Sequence, residues 1–223
     1  MSKQRILVWD LPTRVFHWLL AASFLGAFLT AESERYREIH VTLGYTLLGL
    51  IAFRLVWGFL GSRYARFRSF LFRPVEIIAY VTSLAKARPA HYAGHNPAGS
   101  VSVFLLLALG MLAGASGVLA FQDVGGDVLE ELHEMTAYAM LAVVALHVAG
   151  VVLSSVMHRE NLVRSMITGL KSGLPNQGIR RAHAWLGIMI VAVVVAFWLG
   201  YPATGPIPQN MNVTQVEHPH EDD

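Results

Sequence analysis

The sequence predicts an all-α polytopic membrane protein, a four-helix bundle plus a fifth transmembrane helix. Three observations predict it. The 223 residues are 54% hydrophobic and only 14% charged, whereas a soluble domain carries about 25% charged residues. Mean hydropathy is +0.48. The apolar residues gather into five runs long enough to cross a bilayer. This composition excludes a disordered chain, which needs low hydrophobicity and high charge. A net charge of +2 gives no footprint for nucleic acid.

The five spans fall at about 15–31, 39–61, 98–121, 133–157 and 185–201. The shortest is 17 residues, about 25 Å as a helix. The opening MSKQRILVWDLPTR does not read as a cleavable leader. Its apolar run is short and Asp10 and Pro12 interrupt it, so the first span is expected to stay in the mature protein. The fifth span, WLGIMIVAVVVAFWLGY, carries Trp and Tyr at its ends, as interfacial anchors do. The tail at 202–223 is rich in Pro and acids and is expected to be flexible.

Charge fixes the expected orientation. Fourteen of the 17 Lys and Arg lie in the N-terminus and in the loops after the second and fourth spans. Arg35 and Arg37 lie on the other side, and Arg54 lies within the second span. The positive-inside rule then predicts a cytoplasmic N-terminus and a periplasmic C-terminus in a bacterial inner membrane. The outer side collects 12 of the 15 acids, either as solvated loop charge or as a face for a basic partner. On the basic side, RPVEIIAYVTSLAKA and RENLVRSMITGLKSG both read as helices lying on the headgroups.

Cys is absent, which excludes disulfides, thiolate metal sites, a Cys nucleophile and covalently attached haem. His numbers ten. Ionisable groups within spans are costly and mark function by default. His17 and His147 lie toward the cytoplasmic face, while His40 and His133 lie near the outer face. His133 and His147 are 14 residues apart, which puts them on one helix face about 21 Å apart. One helix then offers an imidazole to each of two stacked sites, with His17 and His40 completing them. Two imidazoles on opposite faces of a porphyrin, from different helices, suit haem b. Gly26, Gly44, Gly49, Gly110, Gly114 and Gly117 offer room for the ring, or else close helix packing. Zinc or copper is disfavoured because each level offers only two His without a third ligand.

Arg54 follows His40 by 14 residues, so it shares that face at the depth of His17 and His147. A buried guanidinium needs an anion, and a haem propionate serves; snorkelling to the headgroups is the competing account. Arg14 either binds an inner propionate or simply follows the positive-inside rule. The other histidines (His91, His95, His158, His183, His218 and His220) read as solvated, with His158 and His183 able to border a quinone pocket.

The opening VWDLPTRVFHWLL is similar to the start of bacterial di-haem cytochromes b. These are the cytochrome b561-type proteins and the cytochrome b subunits of nickel–iron hydrogenase and formate dehydrogenase. HVTLGYTLLGLIAFRLVWGFLGSRYARF resembles their second span, and HRENLVRSMITGLKSG the stretch after their fourth. The resemblance covers about 8–173 and implies a four-span di-haem core over 1–173. It implies the ligand pairs His17 with His147 and His40 with His133, the pairing that depth also suggests. It further implies electron transfer between membrane quinone and a periplasmic redox partner. The anionic outer face favours a c-type cytochrome as that partner. The alternatives are a superoxide:quinone oxidoreductase, a cytochrome b subunit anchoring a hydrogenase-like complex, and a haem-free transporter or assembly factor.

Overall fold

A computed structural model describes residues 4–86 and 89–204. The tail at 205–223, with His218 and His220, lies outside the described residues. The chain runs through strand β1 (Gln4–Leu7), helices α1 (Leu11–Thr30), α2 (Arg37–Leu60), α3 (Pro74–Ala85), α4 (Pro97–Phe121), α5 (Gly126–His158) and α6 (Leu162–Thr168), strand β2 (Leu170–Gly173) and helix α7 (Ala184–Thr204). Five of these helices are long and apolar enough to cross a membrane. The protein is a multi-pass, all-α membrane protein.

The spans pack as two helical hairpins, α1 on α2 and α4 on α5, joined through α2 and α4, with α7 against α1. The core between them is apolar: Phe16 and Phe24 from α1, Leu47 and Ile51 from α2, Leu107 from α4 and Met140 from α5. Ile190 and Val194 of α7 join the same cluster. A hydrogen bond ties α7 to α2, Trp198 Nε1 donating to Thr46 Oγ1 at 2.8 Å.

Helix ends depart from the apolar runs for identifiable reasons. Asp10 caps α1, its Oδ1 accepting the Thr13 N–H at 2.8 Å, and Pro12 stands in the first turn. Helix α1 therefore starts four residues before the expected 15. Helix α5 starts at Gly126, seven residues before the expected 133. Its first turns carry Asp127, Glu130, Glu131 and Glu134, acids that favour a helix N-terminus although they interrupt the hydropathy. The expected headgroup helix at 74–85 forms as α3, with Val75, Ile78 and Val81 exposed and Tyr80 buried. The second expected surface helix is corrected: α6 has only seven residues. Gly169 ends it at φ +80°, its N–H donating to the Ser165 carbonyl, the left-handed C-terminal stop that glycine favours.

The chain then turns into β2, which pairs antiparallel with β1 in the register Gln4↔Gly173 to Leu7↔Leu170. The Val8 and Trp9 N–H groups donate to the Gly169 carbonyl, and the Leu11 N–H donates to that of Ala182. This small ribbon clamps the start of α1 to the segment between α5 and α7. It also places both segments at one end of the bundle, the basic end.

Candidate functional site

Helix α5 passes both ends of the bundle and presents an imidazole at each. At the basic end the rings of His17 and His147 have centroids 6.5 Å apart, inclined at 52°. At the acidic end the rings of His40 and His133 are 6.0 Å apart and nearly perpendicular, at 86°. The structure thus brings together the two pairs that depth selects, one on α1 and α5 and the other on α2 and α5.

The acidic-end pair is oriented by backbone. His40 Nδ1 donates to the Ala27 carbonyl of α1 at 2.8 Å, and His133 Nδ1 donates to the Ala113 carbonyl of α4 at 2.8 Å. A carbonyl oxygen only accepts, so each Nδ1 carries the proton, and in the neutral ring Nε2 keeps its lone pair. Such an outer bond fixes both tautomer and ring orientation. At the basic end His17 Nδ1 is buried without a hydrogen-bond partner, and the ring meets Trp18 edge-on at 5.0 Å.

A cavity of about 370 Å³ opens beside the acidic-end pair, lined by His40, His133, Gly44, Gly114, Gly117 and Arg37 among others. The six candidate glycines divide. A Cβ on Gly117 would stand 2.8 Å from His133, and one on Gly44 would meet nothing within 4 Å. Gly26, Gly110 and Gly114 instead pack against Leu43, Ile51 and Leu48, although Gly114 also borders the cavity. Gly49 faces open space and is not among the cavity's lining residues.

Arg54 is only 2% exposed, so it does not snorkel. Its guanidinium stands 4.7 Å over the Phe67 ring and 5.8 Å from that of Phe70. Its Nη1 is buried without a hydrogen-bond partner. Arg14 turns aside: its Nη1 donates to the Ile167 carbonyl of α6. It lines a shallow apolar groove with Trp18 and Val191.

Two groups escaped the sequence reading. His95, expected to be solvated, packs against Phe70 at 4.4 Å and Trp9 at 4.8 Å, with Nδ1 buried and unpartnered. Burial first, and then the Arg54 charge, lower its pKa to about 3. Phe70 thereby joins His95 to Arg54. Asp10 is fully buried and, besides capping α1, accepts from Trp57 Nε1 at 3.2 Å. Asp-x-Pro-Thr is a local N-cap signal for Asp10, but its bond to Trp57 and the burial of His95 depend on chain segments far apart in sequence.

The loop bearing His95 is itself tied down. Glu160 lies 3.3 Å from His91 Nε2 and 3.6 Å from Lys171 Nζ, and accepts the Ser172 N–H at 2.9 Å. Lys171 Nζ also donates to the Tyr92 carbonyl at 3.0 Å. Burial would raise the Glu160 pKa, but the Ser172 N–H, Lys171 and His91 together bring it below the usual value. His158 meets the His91 ring at 5.4 Å, and His183 meets that of Trp57 at 5.3 Å. Among the described residues no group of three or more His, Cys, Asp or Glu is arranged to hold a metal ion.

Comparison with known proteins agrees with this architecture. The family model for prokaryotic cytochrome b561 matches residues 8–169. A probable Ni/Fe-hydrogenase B-type cytochrome subunit of Rhizobium leguminosarum bv. viciae is 24% identical, over 76% of this chain and 90% of its own. A protein of the same description from Rhodobacter capsulatus is 26% identical, over 74% and 80%. One from Azotobacter vinelandii is 23% identical, over 74% and 87%. No solved structure matches significantly. The chain belongs to the prokaryotic cytochrome b561 family, membrane b-type cytochromes that bind haem b and transfer electrons.

Proposed function

We propose that the chain holds two b-haems, one between His17 and His147 and the other between His40 and His133, and relays electrons across the membrane. The observation that carries this reading is the spacing within each imidazole pair. With metal–nitrogen bonds of about 2 Å and an iron midway, the two ring centroids stand roughly 6 Å apart. The pairs lie at 6.5 and 6.0 Å without bonding each other. The free Nε2 lone pairs at the acidic end, the glycine-lined cavity and the orphaned Arg54 Nη1 fit the same group. Haem b supplies a one-electron couple when bound. The protein would supply the imidazoles of His17, His147, His40 and His133 to hold it, burial, and cations for the propionates, with Arg54 serving at the basic end. Arg14, bound to α6, is the weaker propionate partner.

Residues 1–173 form the di-haem core, and the fifth span, 185–201, supports it from outside the hairpins. In the membrane the basic end faces the cytoplasm of a bacterial inner membrane, a reading that the distribution of Lys and Arg supports. Quinone exchanges electrons at that end, and a periplasmic redox protein exchanges them at the acidic end. A basic c-type cytochrome matches the acids there. The curated relatives support a second reading, in which that partner is a hydrogenase.

A reduced-minus-oxidised spectrum with a haem-to-protein ratio tests the proposal. The expectation is two b-haems per chain, with one lost in His147→Ala and the other in His133→Ala. No b-type α band, or no loss in His147→Ala, overturns it. Co-purification then separates the partners, a c-type cytochrome from hydrogenase subunits. Full reduction by superoxide without a partner favours the superoxide:quinone oxidoreductase instead.

A further inference from the structure

The tetrapeptides that carry the first two histidines share one spacing: Arg14-Val15-Phe16-His17 lies near the start of α1 and Arg37-Glu38-Ile39-His40 opens α2. An arginine three residues before a histidine lies one turn nearer the helix start, on a neighbouring strip of the surface. Because α1 and α2 start at opposite ends of the bundle, each arginine lies on the aqueous side of its histidine. The fold treats the two differently. Arg14 donates to the Ile167 carbonyl. Arg37 lines the cavity that holds His40 and His133, its guanidinium 5.8 Å from the Phe121 ring. Two carboxylates, Glu34 and Glu130, border the same cavity. Among the described residues Arg37 forms no ion pair with either.

We infer that Arg37 binds a propionate of the haem held by His40 and His133 and so fixes that haem with its carboxylate edge toward the acidic end. This rests on the two-haem reading above. The cavity lining includes Gly44, Ala113, Gly114 and Gly117, which suit a flat apolar ring and offer a carboxylate no side-chain donor. Arg37 lines it beside the carboxylates of Glu34 and Glu130 and supplies its guanidinium. Glu34 and Glu130 repel a carboxylate, so the guanidinium decides whether the propionates can sit there at all. Its planar fork matches a carboxylate bidentately. Helix α2 then gives each site one cation, Arg37 at the acidic end and Arg54 at the basic end, as α5 gives each site one imidazole.

The test is a redox titration of the purified, haem-loaded Arg37→Gln and Arg37→Lys proteins, with haem counted per chain. Arg37 is exposed, so neither substitution disturbs the core. The ferric state carries one more positive charge than the ferrous state, so a nearby guanidinium disfavours it. In Arg37→Gln the midpoint of the component absent from His133→Ala falls, and the component absent from His147→Ala keeps its midpoint. Arg37→Lys, which keeps the charge, recovers most of the shift. Loss of the first haem alone in Arg37→Gln, with retention in Arg37→Lys, supports the inference equally. Two haems with both midpoints unmoved, or moved together, overturn it and leave the two-haem reading standing. A wild-type protein without haem between His40 and His133 overturns both.

Discussion

The imidazole of His133 lies directly over Gly117, so that a methyl group on that glycine would stand 2.8 Å from both Cε1 and Nδ1. The ring cannot move aside freely, because Nδ1 is tied to the Ala113 carbonyl at 2.8 Å. Gly117→Ala is therefore expected to displace the ring or break that bond. Haem retention at the acidic-end site should weaken about tenfold, equivalent to about 1.4 kcal/mol. The basic-end site should be unaffected. Helix propensity works in the opposite direction, since Ala in place of a helical Gly favours α4 by up to about 1 kcal/mol. Gly49→Ala, which meets nothing within 4 Å, is the control and should keep both haems. Haem-to-protein ratios after competition with an apo-globin acceptor measure the difference. Undiminished retention in Gly117→Ala contradicts the argument.

Arg54 predicts a change of sign between the haem-free and haem-loaded protein. A buried guanidinium with no carboxylate in ion-pair contact, only the more distant Asp10, destabilises the haem-free chain, and a well-packed apolar side chain relieves this. Arg54→Leu should therefore raise the thermal stability of protein expressed without haem. In the loaded protein the same change removes a charged hydrogen bond of about 1.5–3 kcal/mol. Haem at the His17–His147 site should then dissociate roughly ten- to a hundredfold faster. If Arg54→Leu stabilises both forms, the propionate role is wrong.

The parts legible in the sequence are those with a local or periodic signature. Apolar runs announced the five spans, and the 14-residue interval on α5 announced two levels of imidazole. The clamp was not legible, because β1 and β2 are four residues each and pair across more than 160 positions. Nothing in QRIL or LKSG alone predicts a strand. Helix α5 begins seven residues ahead of its apolar run because hydropathy registers Asp127, Glu130 and Glu131 as an end, whereas a helix N-terminus welcomes them. His95 looked like a loop histidine, since its neighbours in sequence are polar and small. Only the packing of Trp9 and Phe70 around it removes it from water. That Arg37 shares a cavity wall with His40 and His133 is visible only in three dimensions.

Asp10 couples the clamp to the site. Its carboxylate caps α1 through the Thr13 N–H and accepts from Trp57 of α2, and the residue is fully buried. Asp10→Ala loses a cap of about 1 kcal/mol and leaves the half-buried Trp57 indole N–H without its acceptor, at about 1–3 kcal/mol. The expected loss is about 2–4 kcal/mol, with looser seating of His17 two turns later. Asp10→Asn keeps an acceptor for one partner and should lose less. Thermal unfolding in a fixed detergent gives the ranking wild type, Asn, Ala. An Ala variant as stable as the wild type refutes the coupling.

His95 sets an acid limit on stability. Its pKa, about 3 in the folded chain because of burial and the Arg54 charge, lies below the ordinary value of 6.5. Between those values the unfolded chain takes up a proton that the folded chain refuses. Stability contributed by the neutral ring is thus fully present above pH 6.5 and is lost as pH falls toward 3. The slope is up to about 1.4 kcal/mol per pH unit. Glu160, whose pKa is below 4.5, responds in a lower window, so the interval from pH 6.5 to 4.5 separates the two. His95→Phe keeps a ring against Trp9 and Phe70 and cannot take up a proton. Its stability should fall less steeply across that interval, the two curves diverging by up to about 1.4 kcal/mol per unit. Denaturation midpoints measured at several pH values test this, and parallel curves would place the acid sensitivity elsewhere in the chain.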